Sequence, residues 1–340
     1  MRPLRFLGLI AALACGAVHA APTAEAARAD ALAQFRKDLV GALAPRADAE
    51  HLLGAALLAR TLQAQPQPLT FHDLLARAAA AADAGPAVAW AQLGDCADAT
   101  CPQPQALAKL RQQAPGNAAV WLLALNAAAA AKDAAAARAA LAEAAARDRY
   151  DGYSGPLLRA AAAASLALPM DPEVARALTG SAEATAPAQW LVVAGSVAAL
   201  PRPAFFAAAD LCLRPAAPDD ALRADCLGLG HALEGSDGFL ARRFGLQLRA
   251  RLATDPARQA DAQREIRDLT WQFEQYSRLG VRALREADVA RALLTLALRG
   301  DGELDACRAL LRRFGVPLQA PPAWRPPSER RPLPATTALP

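Results

Sequence analysis

The sequence predicts an all-α protein. Alanine, the best helix former and the smallest packing side chain, makes up more than a quarter of the 340 residues. Apolar residues recur at helical spacing along most of the chain, and the one compact β-branched run, Val192, Val193 and Val197, has a helical spacing too. Aromatic residues are only 5% of the chain, so we expect long helices packed closely on one another.

The N-terminal residues predict an export signal. Arg2 and Arg5 precede an apolar stretch over residues 6–18, and the residues up to Ala20 form an A-x-A-like cleavage site. This stretch is shorter than the roughly 20 apolar residues that a bilayer-spanning helix needs. We therefore expect residues 1–20 to be a signal peptide and the mature protein to be periplasmic or secreted.

A lipoprotein signal is the less favoured alternative. Cleavage before Cys15 would leave a lipid-modified N-terminus, and the preceding residues are partly lipobox-like. Ala12, however, stands where a leucine is usual.

Charge and hydropathy exclude two classes of partner. The formal net charge is +4, and removal of residues 1–20 takes away two arginines, so the mature chain is nearly neutral and predicted not to bind nucleic acid. No later segment approaches 18 uninterrupted apolar residues, so we expect no transmembrane segment in the mature chain.

The periodic segments divide the mature chain into N-terminal helices over 21–69 and a helical body over 70–315, with about fifteen helices in all. The body opens with Thr70 and Asp73, which have the spacing of a capping box. The longest periodic stretch begins at Asp255-Pro256 and extends to Gly280. Consecutive helices of this length joined by short turns predict antiparallel pairs stacked as an α-solenoid.

After Gly315 the chain changes character. Eight prolines between residues 316 and 340 interrupt any helix, so this region is predicted to be an extended Pro-rich tail. Trp324 could dock the tail onto the body, and a freely solvated tail is the alternative.

Five cysteines follow the signal sequence. The spacing favours two local disulfides, Cys96 with Cys101 and Cys212 with Cys226, in an oxidising compartment. Metal or redox chemistry at the first pair is the alternative, although four residues separate the two thiols and no histidine lies nearby. Cys307 shares a helical face with leucines, which favours a buried free thiol over an intermolecular bridge.

Residues 115–148 resemble a tetratricopeptide repeat. Trp121 occupies the tryptophan position of the first helix, Ala137 the small residue where the helices touch, and Leu141 and Ala144 the next packing positions. The spacings of Trp90, Trp121 and Trp190 fit units of about 34 residues. The resemblance implies a solenoid-like body over residues 70–315 with a concave surface that holds another chain.

The sequence contains no motif for a catalytic, cofactor-binding or metal site, and the histidines after residue 20 lie far apart. Polar, charged and aromatic residues concentrate over 263–286. One interpretation is a solvated helix face with ion pairs such as Arg264 with Asp268. The other makes this a binding groove. The candidate partner-binding residues are Trp271, Tyr276 and Arg278. A catalytic acid at Glu265 or Glu274 is a third possibility.

These observations favour an exported helical scaffold that binds a protein or peptide partner in the bacterial cell envelope. The alternative is a peptidoglycan-associated enzyme or glycan-binding protein with an α-superhelical body.

Overall fold

The protein is all-α. The computed structural model describes residues 23–62, 68–95, 103–197, 205–214 and 219–326, and within these ranges the chain forms sixteen α-helices and no β-strand. The predicted all-α class is therefore confirmed. The predicted signal peptide with Cys15, the Cys96–Cys101 pair and residues 327–340 lie outside the described residues.

The helices follow one another with short connections. Their bounds are α1 Ala24–Leu43, α2 Ala49–Ala59, α3 Phe71–Ala80, α4 Pro86–Gln92, α5 Gln103–Gln113, α6 Ala118–Ala130, α7 Ala134–Ala145, α8 Ser154–Ser165, α9 Pro172–Thr179, α10 Thr185–Val197, α11 Phe206–Cys212, α12 Asp220–Glu234, α13 Phe239–Leu252, α14 Pro256–Arg282, α15 Ala287–Arg299 and α16 Glu303–Arg313. In the described part of the chain, none of them is both long and apolar enough to cross a membrane.

Polar side chains start half of these helices by accepting a hydrogen bond from a first-turn amide. The predicted capping box is confirmed: the Thr70 side chain accepts from the Asp73 amide, and Asp73 accepts from the Thr70 amide. The capping residues are Thr23, Asp48, Thr70, Asn117, Asp133, Asp171, Asp219 and Asp255. Local sequence thus fixes where these helices begin.

One continuous apolar core connects the N-terminal helices to the body. It extends from Phe35 in α1 to Leu311 in α16. Neighbouring helices pair, as α6 with α7 and α12 with α13, but helices far apart in sequence also pack together. Helix α8 contacts α2 and α15, and α10 also contacts α15. In a linear solenoid each unit contacts only its neighbours, so these added contacts tie the two ends of the chain to its middle.

Several helix pairs approach closely because one or both contact residues lack a side chain. A Cβ atom on Gly245 of α13 would lie 2.6 Å from the Gly230 carbonyl oxygen of α12. A Cβ atom on Gly54 of α2 would lie 2.6 Å from the Ala160 carbonyl oxygen of α8. The backbones are therefore already in contact at these points, and no side chain fits between them.

Residues 115–148 include the α6–α7 hairpin. Ala137, Leu141 and Ala144 of α7 are buried. Two cations contact Trp121: the guanidinium carbon of Arg111 is 5.4 Å from its ring centre and that of Arg147 is 5.1 Å away. These cation–π contacts hold α5 and the turn after α7 against the tryptophan of α6.

The predicted disulfide between Cys212 and Cys226 is confirmed. It joins the last residue of α11 to α12, with the two Cα atoms 5.7 Å apart and both side chains fully buried. A bridge that closes a loop of this length contributes about 3 kcal/mol to stability. Cys307 is a buried free thiol, and burial raises its pKa to about 12, so it carries almost no reactive thiolate.

Substitution of Gly245 tests the close approach of α12 and α13. We expect Gly245→Ala to lower the free energy of unfolding by about 2 kcal/mol or more, because the new methyl group meets backbone atoms that cannot rotate away. The control is Gly280→Ala in α14, where no atom lies within 4 Å of the added Cβ and a change of at most about 1 kcal/mol is expected. Urea unfolding measures both, and equal effects would contradict the packing argument.

Candidate functional site

The C-terminal segment, residues 316–326, lies along α14. This helix is the longest, with 27 residues, because Asp255 caps its start, Pro256 occupies its first turn, and no glycine or proline follows until Gly280. Leu269 and Leu279 are buried against neighbouring helices. The α14 surface, defined as Arg267, Asp268, Trp271, Gln272 and Glu274, meets the C-terminal segment.

Side chains of α14 hydrogen-bond the backbone at the start of the segment. Trp271 Nε1 donates to the Pro317 carbonyl at 2.8 Å, and Gln272 Nε2 donates to the Leu318 carbonyl at 2.9 Å. The Ala320 amide donates to Asp268 Oδ1 at 2.9 Å. These contacts involve main-chain atoms of the segment, so they fix the path of its backbone and depend little on the identity of its side chains.

Arg267 binds the middle of the segment. Its guanidinium donates to the carbonyl oxygens of Ala320 at 3.1 Å, Pro321 at 2.5 Å, Pro322 at 3.3 Å and Trp324 at 3.0 Å. Four carbonyls around one guanidinium make a strong electrostatic contact, because the charge of the donor strengthens each hydrogen bond.

Trp324 is the side chain of the segment that the α14 surface holds most fully. Its ring meets Trp271 edge-on, with ring centres 5.7 Å apart at 74°, and the Arg267 guanidinium carbon lies 5.6 Å from its centre. Its Nε1 donates to Glu274 Oε2 at 3.2 Å. Trp324 therefore docks this part of the Pro-rich region on the body, which was one of the two alternatives predicted from the sequence.

The three predicted partner-binding residues have different environments. Trp271 contacts the segment directly. Tyr276 is packed against the main core, and burial raises the pKa of its hydroxyl. Arg278 is exposed and pairs with Glu274 Oε1 at 2.6 Å. Sequence analysis thus singled out Trp271 but did not predict that Arg267 and Gln272 would bind the C-terminal segment.

The predicted ion pair between Arg264 and Asp268 is wrong. Arg264 pairs with Asp261 one turn earlier, and Asp268 instead accepts the Ala320 amide. The Ala320 amide, which lies far from Asp268 in sequence, is the partner, and helix periodicity does not reveal such long-range contacts. Glu265, considered above as a catalytic acid, lies 2.5 Å from the Arg249 guanidinium.

A cleft of about 430 Å³ lies where the N-terminal ends of α8, α13 and α16 meet. Two of these helices cap each other. Glu303 of α16 accepts the Phe239 amide of α13 at 2.9 Å, and Asp237, just before α13, accepts the Asp305 amide of α16 at 3.0 Å. Burial and the nearby Asp305 carboxylate raise the pKa of Asp237 to about 6.

Two of the described histidines form pairs with single carboxylates. His72 Nδ1 lies 2.8 Å from Oδ2 of the buried Asp95, and His51 contacts Asp48, the cap of α2. His72, in the first turn of α3, thus pairs with a carboxylate of the loop after α4. Among the described residues, no three His, Cys, Asp or Glu side chains lie together in a way that could hold a metal ion.

Comparisons with protein-family models, curated proteins and solved structures found no match to this chain.

Substitution of Arg267 tests its hold on the C-terminal segment. In Arg267→Ala we expect the backbone amides of Ala320 and Trp324 to exchange with deuterium roughly tenfold faster, since hydrogen bonds to a charged donor contribute about 1.5 kcal/mol or more. Arg264→Ala is the matched control: it lies on the same helix and pairs with Asp261. Equal protection of the two amides in both variants would rule out this role for Arg267.

The raised pKa of Asp237 predicts a pH dependence of stability. Between about pH 4 and pH 6 the folded protein keeps a proton on Asp237 that the unfolded chain has released, so the free energy of unfolding falls as pH rises through this window. Asp237→Asn removes this titration and keeps an oxygen that can accept the Asp305 amide. We expect a smaller fall in Tm across the window in Asp237→Asn than in the unmodified chain; identical slopes would contradict the assignment.

Proposed function

We propose that the protein is an exported helical scaffold that binds a protein or peptide partner in the bacterial cell envelope, and that the partner binds on the α14 surface. The observation that carries the proposal is the hold of this surface on an extended piece of chain. Indole, amide and guanidinium donors of α14 hydrogen-bond six backbone carbonyls between Pro317 and Trp324.

This arrangement suits peptide recognition. An extended peptide presents main-chain carbonyls along its length, and side chains on a rigid helix are well placed to meet them. An aromatic pocket then adds selectivity for one side chain of the peptide. The Trp271 ring and the Arg267 guanidinium together provide such a pocket for an indole.

The proposal extends to the architecture. We propose that the α6–α7 hairpin is a tetratricopeptide-like unit and that the α12–α13 pair stacks beside it as in an α-solenoid. Support comes from the buried Ala137, Leu141 and Ala144 of α7 and from the packing of α7 on α12. Export is supported by the N-terminal sequence and by the Cys212–Cys226 disulfide, since disulfides persist in oxidising compartments.

Capture from envelope extract tests the proposal. The mature chain is mildly crosslinked in the extract and recovered, in parallel with an Arg267→Ala, Trp271→Ala double variant and with the control Arg264→Ala. We expect a stoichiometric partner with the unmodified chain and with Arg264→Ala, and its loss with the double variant, because only that variant removes the donors of the α14 surface.

Two results would overturn the proposal. One is a set of captured proteins that is the same for all three chains, which would place binding elsewhere or make it unspecific. The other is retention of the unmodified chain on peptidoglycan without a protein partner, which would favour the glycan-binding alternative. Circular dichroism of the three chains shows whether each remains folded.

A further inference from the structure

We infer that the partner segment recognised by the α14 surface is an extended proline-rich peptide that carries a tryptophan, and that residues 316–326 of this chain compete with it for the same surface. This inference rests on the proposed function and names the class of ligand. Its support is the chemistry of the segment that occupies the surface in the structure.

The surface is matched to a backbone that lacks amide donors. Except at Asp268, which accepts the Ala320 amide, and Glu274, which accepts the Trp324 indole, the contacts with the segment are donations from α14 to carbonyl oxygens. Three of the accepting carbonyls belong to prolines, which have no N–H to leave unpaired. A polyproline-like segment offers carbonyl acceptors to the α14 donors and has few backbone N–H groups that would lack a partner. The restricted φ of proline also lowers the conformational entropy lost on binding.

The tryptophan gives the surface its side-chain selectivity. Trp324 is the one residue of the segment whose side chain both packs on an α14 ring and donates to an α14 carboxylate. Arg267 adds a cation over its ring. A segment without the indole keeps the backbone contacts but loses the stacking and the Nε1 hydrogen bond, so we expect paired prolines followed shortly by tryptophan to be preferred.

The intramolecular segment is held weakly enough to be replaced. Eight hydrogen bonds stabilise the docked state, and the conformational entropy of the seven residues of the segment that are not proline opposes it. The segment also leaves Pro321, Pro322 and Ala323 exposed, and only Ala320 is buried. Opening at modest free energy is typical of segments with few buried contacts.

Tethering explains how such a segment still occupies the surface. The segment follows α16 directly, after Gly315, whose positive φ of 68° turns the chain. A ligand attached by so short a connection has an effective concentration in the millimolar range. A free peptide of the same sequence must therefore exceed that concentration to displace it, unless the intramolecular contacts are weakened.

The test uses a fluorescently labelled peptide with the sequence of residues 316–326 and measures its anisotropy on titration with the full mature chain. Trp324→Ala in the chain weakens the tethered competitor and leaves the α14 surface intact. We expect this variant to bind the peptide at least tenfold more tightly than the unmodified chain. Adding Arg267→Ala to it should abolish binding, and adding Arg264→Ala should leave binding unchanged.

Two control peptides define the ligand class. Replacement of the peptide's tryptophan by alanine should weaken binding at least tenfold, and so should replacement of the two adjacent prolines. No binding to the Trp324→Ala chain at peptide concentrations up to about 1 mM would overturn the inference, as would equal binding by a peptide of scrambled sequence. A dimer of the unmodified chain that the peptide dissociates would make the occupant the segment of a second copy, and would also overturn it.

The outcomes separate this inference from the proposed function. Peptide binding without an Arg267-dependent envelope partner would support the ligand class and count against the scaffold function. An Arg267-dependent envelope partner without peptide binding would support the scaffold function and count against the ligand class.

Discussion

The structure depends on the close approach of helix backbones at contacts that have no room for a side chain. Gly245 on Gly230 and Gly54 on Ala160 bring the backbones of the α12–α13 and α2–α8 pairs together. Alanine is the most frequent residue, and its small side chain lets helices pack closely with few bulky aromatics between them. Such a core tolerates enlargement poorly, because added atoms meet backbone and not a flexible side chain.

This packing lets one long helix serve two purposes. The apolar side of α14, with Leu269 and Leu279, is fixed in the body. Arg267 and Trp271 then project from a helix that is packed into the body, and the helix backbone sets the spacing of these donors along the bound segment. The C-terminal segment adds no regular secondary structure of its own, and its position follows from the order of side chains on α14. The side chains of α14 thus define the binding surface, and the bound segment adopts the path that they set.

Sequence reasoning succeeded where the determining contacts are local. The capping box at Thr70, the start of α14 at Asp255 and the Cys212–Cys226 pair all depend on residues within a turn or a hairpin of one another. It failed where a partner comes from far along the chain. Periodicity shows that a helix has an apolar face but not which helix covers it, so the packing of α15 on α8 was not predicted. For the same reason Asp268 was assigned to Arg264, although its partner lies 52 residues later.

The N-terminal ends of α13 and α16 cap each other, which couples the stability of their first turns. The first turn of an isolated helix frays independently, because its free amides find water as readily as protein. Here Glu303 reaches the first amide of α13 only while α16 is wound, and Asp237 meets α16 only while the start of α13 is in place. Loss of either turn removes the acceptor of the other. Fluctuations at this end of the body should therefore involve both helices at once, as a single cooperative unit of local unfolding.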